Sequence, residues 1–152
     1  MENGLDSRYQ IVSQKGQKSL KKDEKPIQKL SEHLGQIPVV MISPADEDLV
    51  GGATECRRRF LNSVICQVNK EYLHALQQYE KLLIHRNTCL KSDNIDHMVL
   101  NILNEQMAAE AEKIYYVRRE FLKELAPLVA KYYSWISPYG EVADLQYATS
   151  MR

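Results

Sequence analysis

The sequence predicts an α+β fold, mainly α: an elongated antiparallel helical arm of three main helices attached to a small antiparallel β portion. Three observations predict it. From Thr54 onward, apolar residues recur at spacings of three and four through most of the chain, the period of helices with one buried face. Strand-like patterns are confined to the flanks, at residues 8–13, 38–42 and 142–147. The composition, 44% hydrophobic and 26% charged over 152 residues, is that of roughly one globular domain and excludes two independent catalytic units.

Each element follows in order. Residues 8–13 alternate loosely around Tyr9, Ile11 and Val12, Gly16 interrupts them, and residues 19–26 are lysine-rich, which predicts a hairpin with a weak second strand. Ile27, Leu30 and Leu34 then stop at Gly35, the pattern of a short amphipathic helix closed by glycine. After Pro38, the run Val39, Val40, Met41 and Ile42 reads as a strand buried on both faces, which requires neighbours. Beyond Asp46, Glu47, Asp48 and Gly51-Gly52, a first long helix carries Cys56, Phe60, Val64 and Val68 on one face, with Thr54 as its expected N-cap. Asn69 is the expected cap of a second, where Tyr72, Leu76, Tyr79 and Leu83 recur until the pattern fades near Asn87.

A third helix begins near Ile95. In it Met107, Ala111, Ile114, Arg118, Phe121, Leu125, Leu128 and Tyr132 alternate four and three, a seam for a partner helix broken only by Arg118. Pro127 lacks a backbone donor and is expected to kink or end this helix near Ala126. At about 1.5 Å per residue, residues 95–126 reach roughly 48 Å against roughly 28 Å for residues 69–87, so the first helix is expected to cover the overhang. Residues 137–140 form a turn, and residues 142–147 alternate as a strand. The expected organisation is a small β/α portion at 1–50, a helical arm at 51–136 and a returning strand at 137–152.

Twenty Lys plus Arg balance twenty Asp plus Glu, so bulk charge does not make this a nucleic-acid binder, and any DNA contact is local. No apolar run approaches the about 20 residues of a membrane span, and the polar, acidic start is unlike a targeting signal. Cys56, Cys66 and Cys89, odd in number and without a Cys-x-x-Cys pair, read as reduced thiols. A cytoplasmic location is expected. His33, His74, His85 and His97 show no metal spacing, so no metal ligand and no nucleophile are assigned. Of the pairs Tyr115-Tyr116 and Tyr132-Tyr133, one ring of each is expected to pack and the other to meet solvent.

Residues 37–46 (IPVVMISPAD), followed by Leu49-Val50, Gly52 and Arg57-Arg58-Arg59-Phe60-Leu61, closely resemble the bacterial RecF recombination-repair family, whose pattern reads PVV-x-FSP-x-D-x-x-LV-x-G and then RR-x-FL. Residues 72–76 (YLHAL), Tyr79, Leu83, Arg86-Asn87, Leu90-Lys91, Glu105-Gln106-Met107, Ile114, Phe121, Ile136-Ser137 and Tyr147 keep the family's order. Residues 1–36 match least. Asn62 stands where the family usually has Asp, Thr54 replaces a common Pro, and Glu47 occupies a frequently apolar position.

RecF proteins are ATPases of the ABC/SMC type, so the resemblance implies the helical arm and small β portion of such a head, an internal fragment with Walker A before it and the signature and Walker B motifs after it. The chain holds no G-x-x-x-x-G-K-[ST], and Gly16-Gln17-Lys18-Ser19 lacks the spacing that cradles phosphate. The resemblance therefore implies no catalytic residue and no cofactor in this chain, with ATP and Mg2+ in a complete protein that is a weak DNA-dependent ATPase. It implies duplex or gapped DNA, RecO and RecR as partners in loading RecA, an ATP-bound homodimer, and a bacterial cytoplasmic, nucleoid-associated role in replication, recombination, repair and the SOS response. The alternative is a non-catalytic helical interaction or dimerisation module.

By resemblance, Ser43 and Asp46 lie near the nucleotide site, where related heads carry their Gln-loop; the plainer reading of Asp46 is capping of its own turn. Arg57, Arg58 and Arg59 open a helix after the Gly-Gly turn and point about 100° apart, so they cannot all serve one phosphate: one or two pair with carboxylates while another faces DNA or the head, and solvated or structural pairing is the plainer reading. Arg86 either contacts phosphate through its planar fork or caps helix carbonyls. Lys15, Lys18, Lys21, Lys22, Lys25 and Lys29, opposed only by Asp23 and Glu24, form a local basic patch. Lys18, Lys21 and Lys22 are its phosphate-contact candidates, and a solubilising sheet edge is the competing explanation.

Overall fold

The computed structural model describes residues 7–14, 17–37, 39–92, 94–137 and 139–149. Expectations resting on Lys15, Gly16, Pro38 and Pro138 lie outside these residues. The chain divides into two compact units, Met1–Met41 and Ile42–Arg152.

In the first unit, β1 (Tyr9–Gln14), β2 (Gln17–Lys22) and β3 (Lys25–Pro26) form an antiparallel sheet in that order. Ile11 lies opposite Leu20 and Tyr9 opposite Lys22. The expected weak second strand is thus a full six-residue partner, and a third short strand follows a tight turn. Asp23 and Glu24 both adopt left-handed backbone, with φ of 50° and 67°. This mirror-image turn matches sheet twist but normally uses Asn-Gly or Asp-Gly. Asp23 holds it in place: its carboxylate accepts from the Arg8 N–H at 2.8 Å, and its own N–H donates to the Arg8 carbonyl at 2.9 Å. The expected amphipathic helix at residues 27–34 is only a 3-10 turn, Leu30–His33, because so short a periodic run cannot offset the cost of nucleating an α-helix. Gly35 closes it at φ 82°, a conformation that favours glycine. The Tyr9 hydroxyl ties sheet to turn, donating to Gln36 Oε1 at 2.9 Å.

Within the strand expected at residues 38–42, residues 39–42 take no strand conformation. Val39, Val40, Met41 and Ile42 are 65–91% exposed, since two-sided burial requires flanking strands and the described residues supply none.

In the second unit, a 3-10 turn (Pro44–Glu47) leads into α1 (Asp48–Gly51), α2 (Thr54–Val68), α3 (Lys70–Leu90) and α4 (His97–Ile136). Thr54 is the first helical residue of α2, not its cap; Ala53 occupies the cap position. Asn69 caps α3, accepting from the Tyr72 N–H at 2.8 Å, and Asp96 caps α4 through the Met98 and Val99 N–H groups. A short connection turns α4 back along α3, as periodicity predicted. Ile65 and Cys66 of α2, Tyr72 and Ala75 of α3 and Ile114 of α4 form the buried centre, flanked by Leu61, Leu76 and Phe121.

Helix α4 does not end near Ala126 but runs through Pro127 to Ile136. Pro127 and Lys123, whose carbonyl loses its partner there, are both exposed, which puts the orphan acceptor on the solvent side of the helix. Nor does α2 cover the far end of α4: it meets α4 near Arg118, while Leu128, Tyr132, Trp135 and Ile136 are 50–78% exposed. At about 1.5 Å per residue, α4 is roughly 60 Å long and α2 only roughly 22 Å.

The strand expected at residues 142–147 is also absent. The segment joins no sheet, yet Ala143, Leu145 and Tyr147 are half-buried while Val142, Asp144 and Gln146 are exposed. The period of two reports one-sided packing against helix rather than pairing. Among the described residues, no helix is long and apolar enough to cross a membrane.

Candidate functional site

The 43–59 corner gathers five of the residues selected from sequence. Asp46 Oδ2 accepts from the Ser43 N–H at 2.7 Å, and the Asp46 N–H returns a bond to the Ser43 carbonyl at 3.0 Å. This closed local pair is the capping arrangement a Ser-Pro turn favours. Gly52 is needed where it stands, because an added Cβ would lie 2.5 Å from the Asp48 carbonyl oxygen. Arg57 spans the corner: Nη1 donates to the carbonyls of Gly52 at 3.0 Å and Leu49 at 3.3 Å, fastening the end of α1 to the start of α2. Its Nη2 donates to the Thr54 hydroxyl at 3.5 Å, so its fork is spent within the corner. Arg58 faces Glu55 one turn back at 3.8 Å with both side chains mostly in water, and Arg59 is exposed. Arg58 and Arg59 therefore present the corner's available positive charge, beside the positive end of the α2 dipole.

Arg86 lies elsewhere in the same unit. Its Nε donates to Asn104 Oδ1 at 2.7 Å, bridging α3 to α4 rather than capping carbonyls. In the sheet unit, Lys21 and Lys22 are half-buried neighbours on β2, and the Lys22 ammonium sits 5.5 Å from the Tyr9 ring centroid. The Lys18 side chain lies outside the described residues.

The most connected polar cluster is one the sequence marked only as a flaw in a seam. The Tyr72 hydroxyl donates to Asn62 Oδ1 at 2.6 Å and accepts from Arg118 Nε at 2.9 Å, while Arg118 Nη2 donates to the same Asn62 oxygen at 2.9 Å. One guanidinium thus joins α2, α3 and α4. Burial pulls the Arg118 pKa down, but the Tyr147 and Tyr72 hydroxyls outweigh it and the net direction is up. Burial raises the Tyr72 hydroxyl, against the opposing pull of Arg118. Burial also lifts the Cys66 thiol, aided by the charge of Glu80, so the thiol is a packed apolar group rather than a nucleophile. A charged residue at an apolar heptad position was the available signal for this cluster.

No family model matches the chain. Individual relatives do. It is 40% identical over 153 aligned positions to the DNA replication and repair protein RecF of Flavobacterium johnsoniae, covering 96% of this chain and 43% of that protein. Proteins of the same name from Bacteroides fragilis and Parabacteroides distasonis are each 40% identical, over 95% and 88% of this chain and 39% and 37% of their own. The chain belongs to the RecF family.

A solved structure described as the recombination mediator protein RecF-ATPrS in the RecFOR pathway agrees in fold with a TM-score of 0.78 at 27% identity, over 89% of this chain and 38% of that one. An ATP form described in the same words gives 0.78 over 86% and 36%. The chain spans roughly two fifths of the length of the RecF relatives it matches.

Of the two residues that the resemblance places near a nucleotide site, Asp46 directs its carboxylate at the Ser43 N–H of its own turn.

Proposed function

We propose that this chain is the helical arm and small β portion of a RecF-type replication and repair ATPase, engaging DNA at single-strand gaps and helping RecO and RecR load RecA. The observation that carries the reading is 40% identity to RecF proteins across nearly the whole chain. In this reading the complete protein works as an ATP-bound homodimer in the bacterial cytoplasm near the nucleoid, with weak DNA-dependent ATPase activity. ATP and Mg2+ are bound by parts of the complete protein, and this chain contributes DNA contact and leverage. Arg58 and Arg59 at the exposed start of α2 support the DNA role, as do Lys21 and Lys22 on β2. Arg57 and Arg86 serve structure first, since their donors are aimed at protein carbonyls and an amide.

The test is a mobility-shift titration of the 152-residue chain with a gapped duplex at two salt concentrations. Binding of about micromolar affinity or weaker is expected, falling steeply with salt. The pair Arg58→Glu and Arg59→Glu should weaken it further and reduce the salt slope by about 2 if both contact phosphate. Binding that ignores salt and both substitutions would overturn the DNA assignment.

One observation favours a second reading, the interaction module. Leu128, Tyr132, Trp135 and Ile136 continue the core-facing stripe of α4 beyond its cover. Light scattering distinguishes the two: concentration-dependent dimers formed without nucleotide, together with no DNA shift, would favour the module.

A further inference from the structure

We propose that the depression beside the β2–β3 turn is a phosphate-binding site, with the Lys22 and Lys25 ammonium groups as its cation pair and a backbone phosphate of DNA as its occupant. The occupant rests on the DNA reading above, whereas the site rests on the sheet. Two local costs point to it. Asp23 and Glu24 both hold left-handed backbone, at φ of 50° and 67°, which is unfavourable for most residues with a side chain. That turn sets Lys22 directly opposite Lys25 in the ladder. Like charges so placed repel, since opposed side chains start about 5 Å apart. Among the described residues, neither ammonium meets a carboxylate. An anion between them turns one repulsion into two attractions.

The register also sorts the lysines, because successive strand residues face opposite sides of a sheet. Tyr9, Lys22 and Lys25 lie in one cross-strand row and share a face, whereas Lys21, opposite Gln10 and Pro26, belongs to the other. Lys22 and Lys25 border an open depression of about 440 Å³, together with Asp23, Gln28 and His33; Lys21 does not. Asp23 brings an opposing charge, and its Oδ1 is engaged by the Arg8 N–H at 2.8 Å. Two ammonium groups with three donors each, beside the Gln28 amide, suit a tetrahedral oxyanion with several acceptor oxygens better than a two-oxygen carboxylate.

The walls are held from behind. The Lys22 ammonium sits 5.5 Å from the Tyr9 ring centroid, and the Tyr9 hydroxyl donates to Gln36 Oε1 at 2.9 Å. His33 Nδ1 lies 3.1 Å from that same oxygen, and its ring meets Tyr9 edge-on with centroids 6.2 Å apart. Because Oε1 only accepts, Nδ1 is the donor and pins the ring, which makes His33 a fixed spectroscopic probe of the depression.

The first experiment titrates the 152-residue chain with a gapped duplex over a range of salt concentrations. Lys22→Gln and Lys25→Gln should each lower affinity about three- to tenfold and reduce the salt slope by about 1. Lys21→Gln, with the same net charge, should leave the slope unchanged, and Lys22→Arg should restore binding, all with wild-type amide dispersion in NMR spectra. A Lys21→Gln effect equal to that of Lys22→Gln would reveal a diffuse field and overturn the proposal. The second experiment adds inorganic phosphate, with sodium chloride of equal ionic strength as control, and follows the His33 ring signals at fixed pH. Saturable, phosphate-specific shifts that vanish in Lys22→Gln are expected. If these appear while no duplex binds, the site stands and DNA falls as its occupant. Absence of a phosphate-specific shift, or equal competition by an oligoglutamate, overturns the site itself.

Discussion

Replacing Asn62 by Asp would turn the cluster at Arg118 from a polar network into an ion pair. In the wild type, one neutral amide oxygen accepts from both Arg118 Nη2 and the Tyr72 hydroxyl, at 2.9 and 2.6 Å. A carboxylate there makes the Tyr72 bond charge-assisted and turns the Arg118 bond, already charged on its donor, into an ion pair, a gain of about 1 kcal/mol each. Against this stands the desolvation of a half-buried carboxylate, which removes about half of the gain. The net expectation is about 1 kcal/mol of stabilisation at pH 7, or about 4 °C in Tm for a unit of this size. Arg118 holds the new carboxyl below its unfolded pKa of about 3.9, so the gain is fully present above that value and is lost as pH falls through the lower folded pKa. Thermal melts of both chains at pH 7 and pH 2 check this. The sign must also reverse when Arg118 is Met, because the carboxylate then has no cation. A gain that persists at pH 2, or that survives Arg118→Met, would refute the reasoning.

Two other perturbations test the backbone. Glu24→Gly relieves a left-handed residue at φ 67° in the β2–β3 turn and should stabilise the sheet by about 0.5–1 kcal/mol, visible as sharper amide dispersion and slower exchange of the β2–β3 bonds; Glu24→Val should do the reverse. Pro127→Ala restores an N–H to pair with the Lys123 carbonyl in an otherwise continuous helix and should raise the unfolding free energy by about 1–3 kcal/mol in a denaturant titration.

What the sequence made legible was local. Apolar residues three and four apart located α2, α3 and the start of α4 within a few residues, and Asn69 announced the cap of α3, because helix hydrogen bonds and N-caps are completed by neighbours in sequence. Features completed by distant residues were not legible. Val39 to Ile42 carries the composition of a buried strand, but composition states a need for cover without supplying it, and these side chains remain exposed. Residues 142–147 show the period of a strand because period two reports burial on one side, whichever surface provides it. Here that surface is α4, contacted through Tyr115.

The arginines make the same distinction at the candidate site. Arg57, Arg58 and Arg59 are equivalent as letters, yet only Arg57 has main-chain carbonyls within reach, because Gly52 lets the chain fold back close to Asp48 and present them. That close approach leaves Arg58 and Arg59 to solvent. Arg118, by contrast, interrupted an otherwise apolar seam, and a guanidinium is tolerated there only if its donors are satisfied inside. Asn62 and Tyr72 satisfy them from α2 and α3, up to 56 residues away in sequence. A charge set within a hydrophobic repeat therefore predicts that polar partners converge on it from other elements, even when their identity can be read only from the fold.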